Sequence, residues 1–217
     1  MAQLRYRFHT LEFGDSDIHF RTLRDKQQYD DPEGLADDLG ISSASWPMYG
    51  VLWAAGEVLA HMMQQYDVDG LRILEVGCGV GLSSLLLNQR LADITATDHH
   101  PCANGQLQYN ATLNGGPAIP FFRSDWGDPG QDGGEFDLII GSDLLYEPNH
   151  AQLLSGFINH HTRATSRVII IDADRGNSPA FCRHMDTFGF THTRSRSPHG
   201  EAMIPPFKGQ LLQFSRG

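Results

Sequence analysis

The stretch "RILEVGCGVGLSSLLLNQRLADITATDHHP" (residues 72–101) decides the fold of this chain. A short apolar run ends in glycines at alternate positions, Gly77, Gly79 and Gly81, and a second apolar run ends at Asp98. A glycine turn between a strand and a helix lets a ligand lie against bare backbone. A carboxylate at the end of the next strand can accept hydrogen bonds from both hydroxyls of a ribose. The stretch therefore predicts a ligand site at the carboxyl end of a parallel sheet.

The rest of the chain continues the alternation of strand and helix. Predicted strands lie at 72–76, 93–97, 119–122, 136–141 and 167–172, and predicted helices at about 47–66, 80–90, 101–113, 149–161 and 178–187. Such alternation indicates βαβ units and a parallel sheet covered on both faces. The apolar runs "DLIIG" and "RVIIID" are typical of strands buried on both sides.

The two ends of the chain have strand patterns without intervening helices. Residues 4–11 and 17–23 alternate polar and apolar side chains around a turn-rich connector, which predicts a β-hairpin. Residues 190–196 and 210–215 predict a second, antiparallel pair. The acidic and then small, polar segment 30–45 is interpreted as a loop over the entrance of the domain.

The length of 217 residues predicts one domain that covers the whole chain, 1–217. Within it, residues 1–45 form the N-terminal hairpin and loop, and residues 46–217 form the ligand-binding α/β core. The predicted fold class is a doubly wound, Rossmann-like α/β sheet with a hairpin in front.

Composition excludes several classes of partner. The 26 acidic and 16 basic residues give a net charge of −10, which makes a nucleic acid partner unlikely because such partners usually need a basic face. No apolar run approaches the ~20 residues of a membrane-spanning helix, and no secretory signal is recognisable. The three cysteines lack CxxC spacing and indicate reduced thiols, which favours a cytoplasmic protein. The eleven histidines show no metal-ligand spacing, so no metal is expected.

The glycine turn lacks both common pyrophosphate-binding devices. A dinucleotide fingerprint would need glycine at position 82, which is Leu82, and a Walker loop would need a Gly-Lys step. Glu75 and Asp98 suit a cationic ligand better than a phosphate. S-adenosylmethionine (SAM) carries a ribose, an ammonium and a sulfonium, and no phosphate. The E-x-G-x-G-x-G turn resembles motif I of class I SAM-dependent methyltransferases, and a plain strand-to-helix turn is the alternative.

Three further motifs sharpen this resemblance: "SWP" (45–47), "SDWGD" (124–128) and "SDLLY" (142–146). In combination with motif I they resemble the protein-lysine methyltransferases of methyltransferase family 16, over about residues 40–175. The resemblance implies a seven-stranded sheet with helices on both faces, SAM as cofactor and a protein lysine as methyl acceptor. It implies that Asp143 and Tyr146 stand at the lysine entrance and that the cofactor contacts are Trp46, Glu75, Gly77, Gly79, Asp98, Trp126 and Ser142. Asp125 could accept a hydrogen bond from the exocyclic amine of adenine.

Each of these residues also has a structural interpretation. Trp46 could be a core residue at a helix start, and Glu75 a buried carboxylate satisfied by backbone donors. Asp143 could cap the following helix, and Tyr146 could be ordinary packing.

Two other functions stay open from the sequence. One is a small-molecule N-methyltransferase on the same fold, and the other is a SAM-binding module without catalysis. A nucleic acid methyltransferase is less favoured, because adenine N6 enzymes have a D/N-P-P-Y/F step where this chain has "SDLLY".

Overall fold

The computed structural model describes residues 4–25, 31, 33–128 and 133–217. Its strands are β1 (Tyr6–Phe13), β2 (Ser16–Leu23), β3 (Arg72–Val76), β4 (Asp93–Asp98), β5 (Phe121–Arg123), β6 (Phe136–Ser142), β7 (Thr162–Asp172), β8 (Thr191–Arg196) and β9 (Gln210–Arg216). Its helices are α1 (Ala54–Gln65), α2 (Leu82–Gln89), α3 (Ala103–Leu113), α4 (His150–His161) and α5 (Ser178–Thr187). None of these helices is both long enough and apolar enough to cross a membrane.

Seven of the strands form one sheet in the order β5-β4-β3-β6-β7-β9-β8. The pairs from β5 to β7 are parallel, and β9 pairs antiparallel with both β7 and β8. The strand order therefore reverses at β3, which lies between β4 and β6. In open α/β sheets, ligands bind at the carboxyl ends of the strands on either side of such a reversal.

The sheet is buried on both faces because its strands carry apolar side chains in both directions. In β3, Ile73 belongs to the core under α1, α2 and α3, whereas Leu74 belongs to the core under α4 and α5. The predicted doubly wound fold, with helices on both faces of a seven-stranded sheet, is confirmed.

The N-terminal hairpin is confirmed as β1 and β2, and it is fastened to α3 by amides. Asn114 accepts a hydrogen bond from the His19 amide at 2.8 Å and donates to the His19 carbonyl at 2.7 Å. Asn110 accepts from the Arg21 amide at 2.9 Å and donates to the carbonyl of Val80, in the glycine turn, at 3.0 Å. The asparagines of "YNATLN" (109–114) thus connect the hairpin to the edge of the sheet that holds the turn. The division of the domain at residue 45 stays a prediction, and residues 1–3, 26–30 and 32 of its N-terminal part lie outside the described residues.

The predicted helix at 47–66 is wrong in its first part. The chain makes a single 3-10 turn at Met48–Gly50 and is then extended at Val51 and Trp53 before α1 begins. The reason is tertiary packing. Tyr49 and Val51 are buried, and Gly50 lies so close to Leu23 of the hairpin that an added Cβ would come within 2.5 Å of it. These apolar residues therefore cover the hairpin and a cavity, not one face of a helix.

The predicted starts of β5 and β7 also differ from the structure. β5 begins at Phe121 rather than at 119, because Pro120 has no N–H to donate to the ladder and contributes only its carbonyl, which accepts from Ala96 at 2.9 Å. β7 begins at Thr162 rather than at 167, where Thr162 pairs with Phe136 before an irregularity in the register. The final antiparallel pair is confirmed as β8 and β9.

Candidate active site

A cavity of about 530 Å³ opens at the carboxyl ends of the parallel strands. Its walls come from the segments that follow β3, β4, β5, β6 and β7, and from the extended segment before α1. This is the edge where the strand order reverses, and the volume lies within the ~300–1,000 Å³ range of small-molecule sites. All but one of the site residues predicted from the sequence line this cavity. The lining residues among them are Glu75, Gly77, Gly79, Asp98, Asp125, Trp126, Ser142, Asp143 and Tyr146.

The glycine turn forms the floor of the cavity. Gly77 and Gly79 have φ values of +62° and +53°, in the left-handed region that favours glycine. A Cβ on Gly77 would lie 2.5 Å from Leu144 Cδ2, and a Cβ on Gly79 would lie 3.2 Å from the carbonyl oxygen of Tyr49. The turn therefore needs glycine both for its backbone conformation and for the close approach of neighbouring segments.

Glu75 is a buried carboxylate behind this turn. Its Oε2 accepts hydrogen bonds from the Ser84 amide, at 2.8 Å, and from the Ser84 hydroxyl, which ties β3 to the first turn of α2. Burial raises the pKa of Glu75 to about 7, although the hydrogen bonds from Ser84 oppose the shift. The structural interpretation of Glu75 thus has direct support, and the same side chain also lines the cavity.

Asp98 stands at the end of β4 and binds backbone amides. Its Oδ2 accepts from the Gly79 amide and its Oδ1 from the His100 amide, both at 2.9 Å. Burial raises the pKa of Asp98, and these amide hydrogen bonds partly oppose the shift. The His99 amide also donates to this carboxylate, and because a carboxylate has about four acceptor positions, part of its capacity is left for a ligand.

The loop after β5 supplies a polar and an aromatic group. Asp125 is exposed, and its Oδ1 accepts from the Gly127 amide at 2.8 Å, which stabilises the local turn. Trp126 meets His150 edge-on, with ring centroids 5.2 Å apart. His150 in turn meets Tyr146 edge-on at 4.4 Å. The three rings form an aromatic wall on one side of the cavity, and Tyr146 is its outer member, with 39% of its surface exposed.

Asp143 follows β6 and is held by an arginine that the sequence analysis missed. Arg175 Nε donates to Asp143 Oδ1 at 3.0 Å, and Arg175 Nη2 donates to Oδ2 at 2.8 Å. The interpretation of Asp143 as a helix cap is wrong, because α4 begins at His150 with Asn149 in the capping position. A signal for Arg175 was present, since "ADRGN" (173–177) directly follows the predicted strand 167–172 and therefore lies at the same edge of the sheet.

Trp46 is the exception among the predicted cofactor contacts, because it does not line the cavity. Its Nε1 donates to the Ile41 carbonyl at 2.9 Å, and its ring borders a separate hollow of about 210 Å³ beside Tyr49 and His100. Trp53, just before α1, lines the main cavity instead. The interpretation of Trp46 as a core residue at a helix start is not supported either, because Trp46 is only partly buried and α1 begins at Ala54. We predict that Trp53 makes the aromatic contact.

Negative charge predominates in the cavity wall. Four carboxylates line it, and Arg175 is the one Lys or Arg side chain among its described lining residues. No group of three or more His, Cys, Asp or Glu side chains in the described part of the chain is arranged to hold a metal ion. All three cysteines are free thiols, and burial raises the pKa of each.

The fold of this chain is that of the class I methyltransferases. Magnesium protoporphyrin IX methyltransferase from Synechocystis, solved with bound SAM, superposes with a TM-score of 0.58 at 21% identity, over 75% of this chain and 78% of that one. A family model described as lysine methyltransferase matches residues 41–187. The chain therefore belongs to methyltransferase family 16, the lysine methyltransferase family that its motifs resemble.

Two relatives illustrate the degree of similarity. EEF1A lysine methyltransferase 3 of Mus musculus is 33% identical over 115 residues, which are 50% of this chain and 49% of that protein. The electron transfer flavoprotein beta subunit lysine methyltransferase of Xenopus laevis is 26% identical over 145 residues, 64% of this chain and 58% of that protein. The chain thus spans about half the length of the curated relatives it matches.

Proposed function

We propose that this chain is a SAM-dependent methyltransferase that transfers a methyl group to a lysine amine of a protein. One observation carries the proposal: a cavity at the strand reversal combines a bare glycine turn and buried carboxylates on one side with Asp143 and Tyr146 on the other. The first side suits a cationic nucleoside cofactor. The second suits an incoming amine.

The described residues fit SAM in charge and in hydrogen bonding. The excess of carboxylates favours a ligand with an ammonium and a sulfonium and disfavours phosphates. The free acceptor positions of Asp98 can take the ribose hydroxyls, and the Trp126 ring offers a flat surface for adenine. Ser142 and Glu75 also line the cavity.

When bound, SAM would supply an electrophilic methyl group, so that the acceptor nitrogen forms the N–C bond while the electron pair of the C–S bond goes to sulfur. The protein's part is to position the acceptor, which can contribute ~7–11 kcal/mol to lowering the barrier. A lysine amine must arrive without its proton, although its unperturbed pKa is about 10.4. Asp143 would orient the amine by accepting a hydrogen bond, and Tyr146 would form the wall against which the lysine side chain lies.

A protein acceptor is supported by the relatives, several of which are named for methylating lysines of proteins. A cytoplasmic location is part of the proposal as well. It is supported by the three thiols, which form no disulfide.

The test is incubation of the purified chain with cell lysate and SAM labelled in its methyl group. We expect label in protein, and mass spectrometry of the labelled band should place it on a lysine. Asp143→Asn should lower the incorporation strongly. Asp186→Asn is the matched control, because Asp186 lies on α5 in an exposed pair with His192 and does not line the cavity.

The same experiment separates the two other functions. Label confined to small metabolites would replace the proposal with a small-molecule N-methyltransferase. Binding of SAM with no transfer to any component of the lysate would leave a SAM-binding module.

A further inference from the structure

Arg175 forms a bidentate ion pair with Asp143 at the predicted acceptor site. Both carboxylate oxygens of Asp143 accept from the same guanidinium, at 3.0 and 2.8 Å. The Asp143 side chain is only 10% exposed, whereas that of Arg175 is 46% exposed. The carboxylate is therefore fixed within the wall, and its partner reaches in from solvent.

The backbone of Asp143 is fixed as well. Its amide donates to the Ile171 carbonyl of β7 at 2.8 Å, and its φ of +53° lies in a region that residues other than glycine rarely adopt. This conformation turns the side chain from the end of β6 toward the loop after β7, where Arg175 lies. Backbone and side chain together give the carboxylate one position.

The surroundings of this pair are acidic. Tyr146 and Glu147 follow Asp143 on its own segment, Asp172 and Asp174 stand at the end of β7, and Asp98 acts from the end of β4. Arg175 is the one permanent cation among the described residues that line the cavity. Without it, Asp143 would add an uncompensated negative charge at the place where the acceptor amine would bind.

That charge would oppose methyl transfer. An unpaired carboxylate within ~4–6 Å of an amine stabilises the ammonium form and raises its pKa by about one unit or more. The ammonium has no lone pair with which to attack a methyl group. An Asp–Arg pair is neutral overall, and because a carboxylate has about four acceptor positions, it can still accept a hydrogen bond from a neutral amine.

We infer that Arg175 is a positioning residue for methyl transfer, which holds the Asp143 carboxylate in place and cancels its charge so that the acceptor lysine binds there as the neutral amine. This inference rests on the proposed function. Arg175 acts through Asp143, and its removal should therefore change how the rate depends on pH as well as the rate itself.

The test is the rate of methyl transfer at saturating protein acceptor and saturating SAM, from pH 6.5 to 10, for the wild type, Arg175→Met and Arg175→Lys. At saturation the profile reports ionisations in the complex. Arg175→Met should move the rising limb of the pH–rate profile about one pH unit higher. The rate of methyl transfer should therefore fall about tenfold at neutral pH and recover at alkaline pH. Arg175→Lys keeps the positive charge but loses the bidentate geometry. Its rate of methyl transfer should therefore fall, while the rising limb of its pH–rate profile stays at the same pH.

The matched control is Arg196→Met, which removes an exposed pair with Glu201 outside the cavity and should leave the profile unchanged. Arg175→Gln provides a second neutral variant if the methionine variant does not fold, and SAM titration checks that the cofactor half is intact. If the wild type transfers methyl groups but the rising limb of the pH–rate profile does not move in the neutral variants, the role of Arg175 alone is overturned. A wild type that transfers no methyl group overturns the proposed function and this inference together.

Discussion

Asp98 is the last residue of β4 and Asp143 directly follows β6, and both line the same cavity, yet the protein holds them in different ways. Asp98 accepts hydrogen bonds from backbone amides, so its carboxylate can move only if the glycine turn moves. Asp143 is held by one half-exposed arginine side chain, which can rotate without any change in the backbone. The carboxylate of Asp98 is thus held by backbone amides, and the carboxylate of Asp143 by a side chain.

The largest expected effect concerns the backbone-held carboxylate. Asp98→Ala removes the acceptor of the Gly79 and His100 amides and the predicted ribose contact. We expect SAM and S-adenosylhomocysteine to bind at least about 100-fold more weakly, or about 3 kcal/mol, by isothermal titration. Asp98→Asn keeps one acceptor oxygen, so its affinity for SAM should lie between those of the wild type and Asp98→Ala. Wild-type affinity in the alanine variant would contradict the placement of the cofactor.

The second prediction concerns the pH dependence of stability that arises from Glu75. The folded protein raises the pKa of Glu75 from 4.5 to about 7, so the folded state retains a proton that the unfolded state has lost between these values. The stabilisation is present below pH 4.5 and is lost as pH rises through about 7, by a total of about 3 kcal/mol. Thermal unfolding of wild type and Glu75→Gln from pH 4.5 to 8 should show the wild type losing stability relative to the variant.

The control for this measurement is Glu201→Gln, which lies in an exposed ion pair. Its stability difference from the wild type should not follow the same course. A constant difference between wild type and Glu75→Gln across the pH range would show that Glu75 does not retain its proton.

A smaller effect distinguishes the two tryptophans near the cavity. Trp53 lines it and Trp46 does not. Trp53→Leu should weaken SAM binding about five- to tenfold, since an aromatic contact contributes about 0.5–1.5 kcal/mol. Trp46→Leu should leave the affinity unchanged and lower only the melting temperature. The reverse pattern would restore the cofactor contact that the family resemblance implies for Trp46.

The smallest effect measures the side-chain contact of Asp143 itself. A double-mutant cycle of Asp143→Asn and Arg175→Met on the free energy of unfolding should give a coupling below about 1 kcal/mol, because Arg175 is half exposed and solvent screens the pair. A coupling of several kcal/mol would mean that the ion pair between Arg175 and Asp143 stabilises the fold. The contrast with Asp98 would then disappear.

The sequence was most informative where the signal is local. The glycines and Asp98 lie within one stretch of thirty residues, and the spacing of apolar residues defines strands and helices without knowledge of distant contacts. The number of strands in the sheet followed from the resemblance to a known family, and the structure has seven strands in that sheet.

Predictions were weakest where distant segments decide the conformation. The apolar residues from Met48 to Trp53 match helical spacing, but packing against the hairpin and the cavity pulls them out of the helix. The same displacement carries Trp53, rather than Trp46, into the cavity wall. Periodicity within one segment contains no information about these neighbours.

Arg175 shows an intermediate case. Its position at the carboxyl end of β7 follows from the alternation of elements, so its proximity to the site was predictable. Its pairing with Asp143 was not, because the pairing depends on the left-handed backbone of Asp143, a conformation that its residue type permits but does not require.

The protonated thiols of this chain give it a practical property. Cys78 and Cys182 are buried, and Cys102 is partly covered, with its pKa raised as well. Thiols in this state react slowly with electrophilic dyes, because the thiolate is the nucleophile. A single cysteine introduced at the exposed Ser43, between Ile41 and Ser45 of the cavity wall, would therefore take up a fluorophore almost alone. Such a labelled protein would report the arrival of a nucleoside by a change in emission, without any removal of the native cysteines.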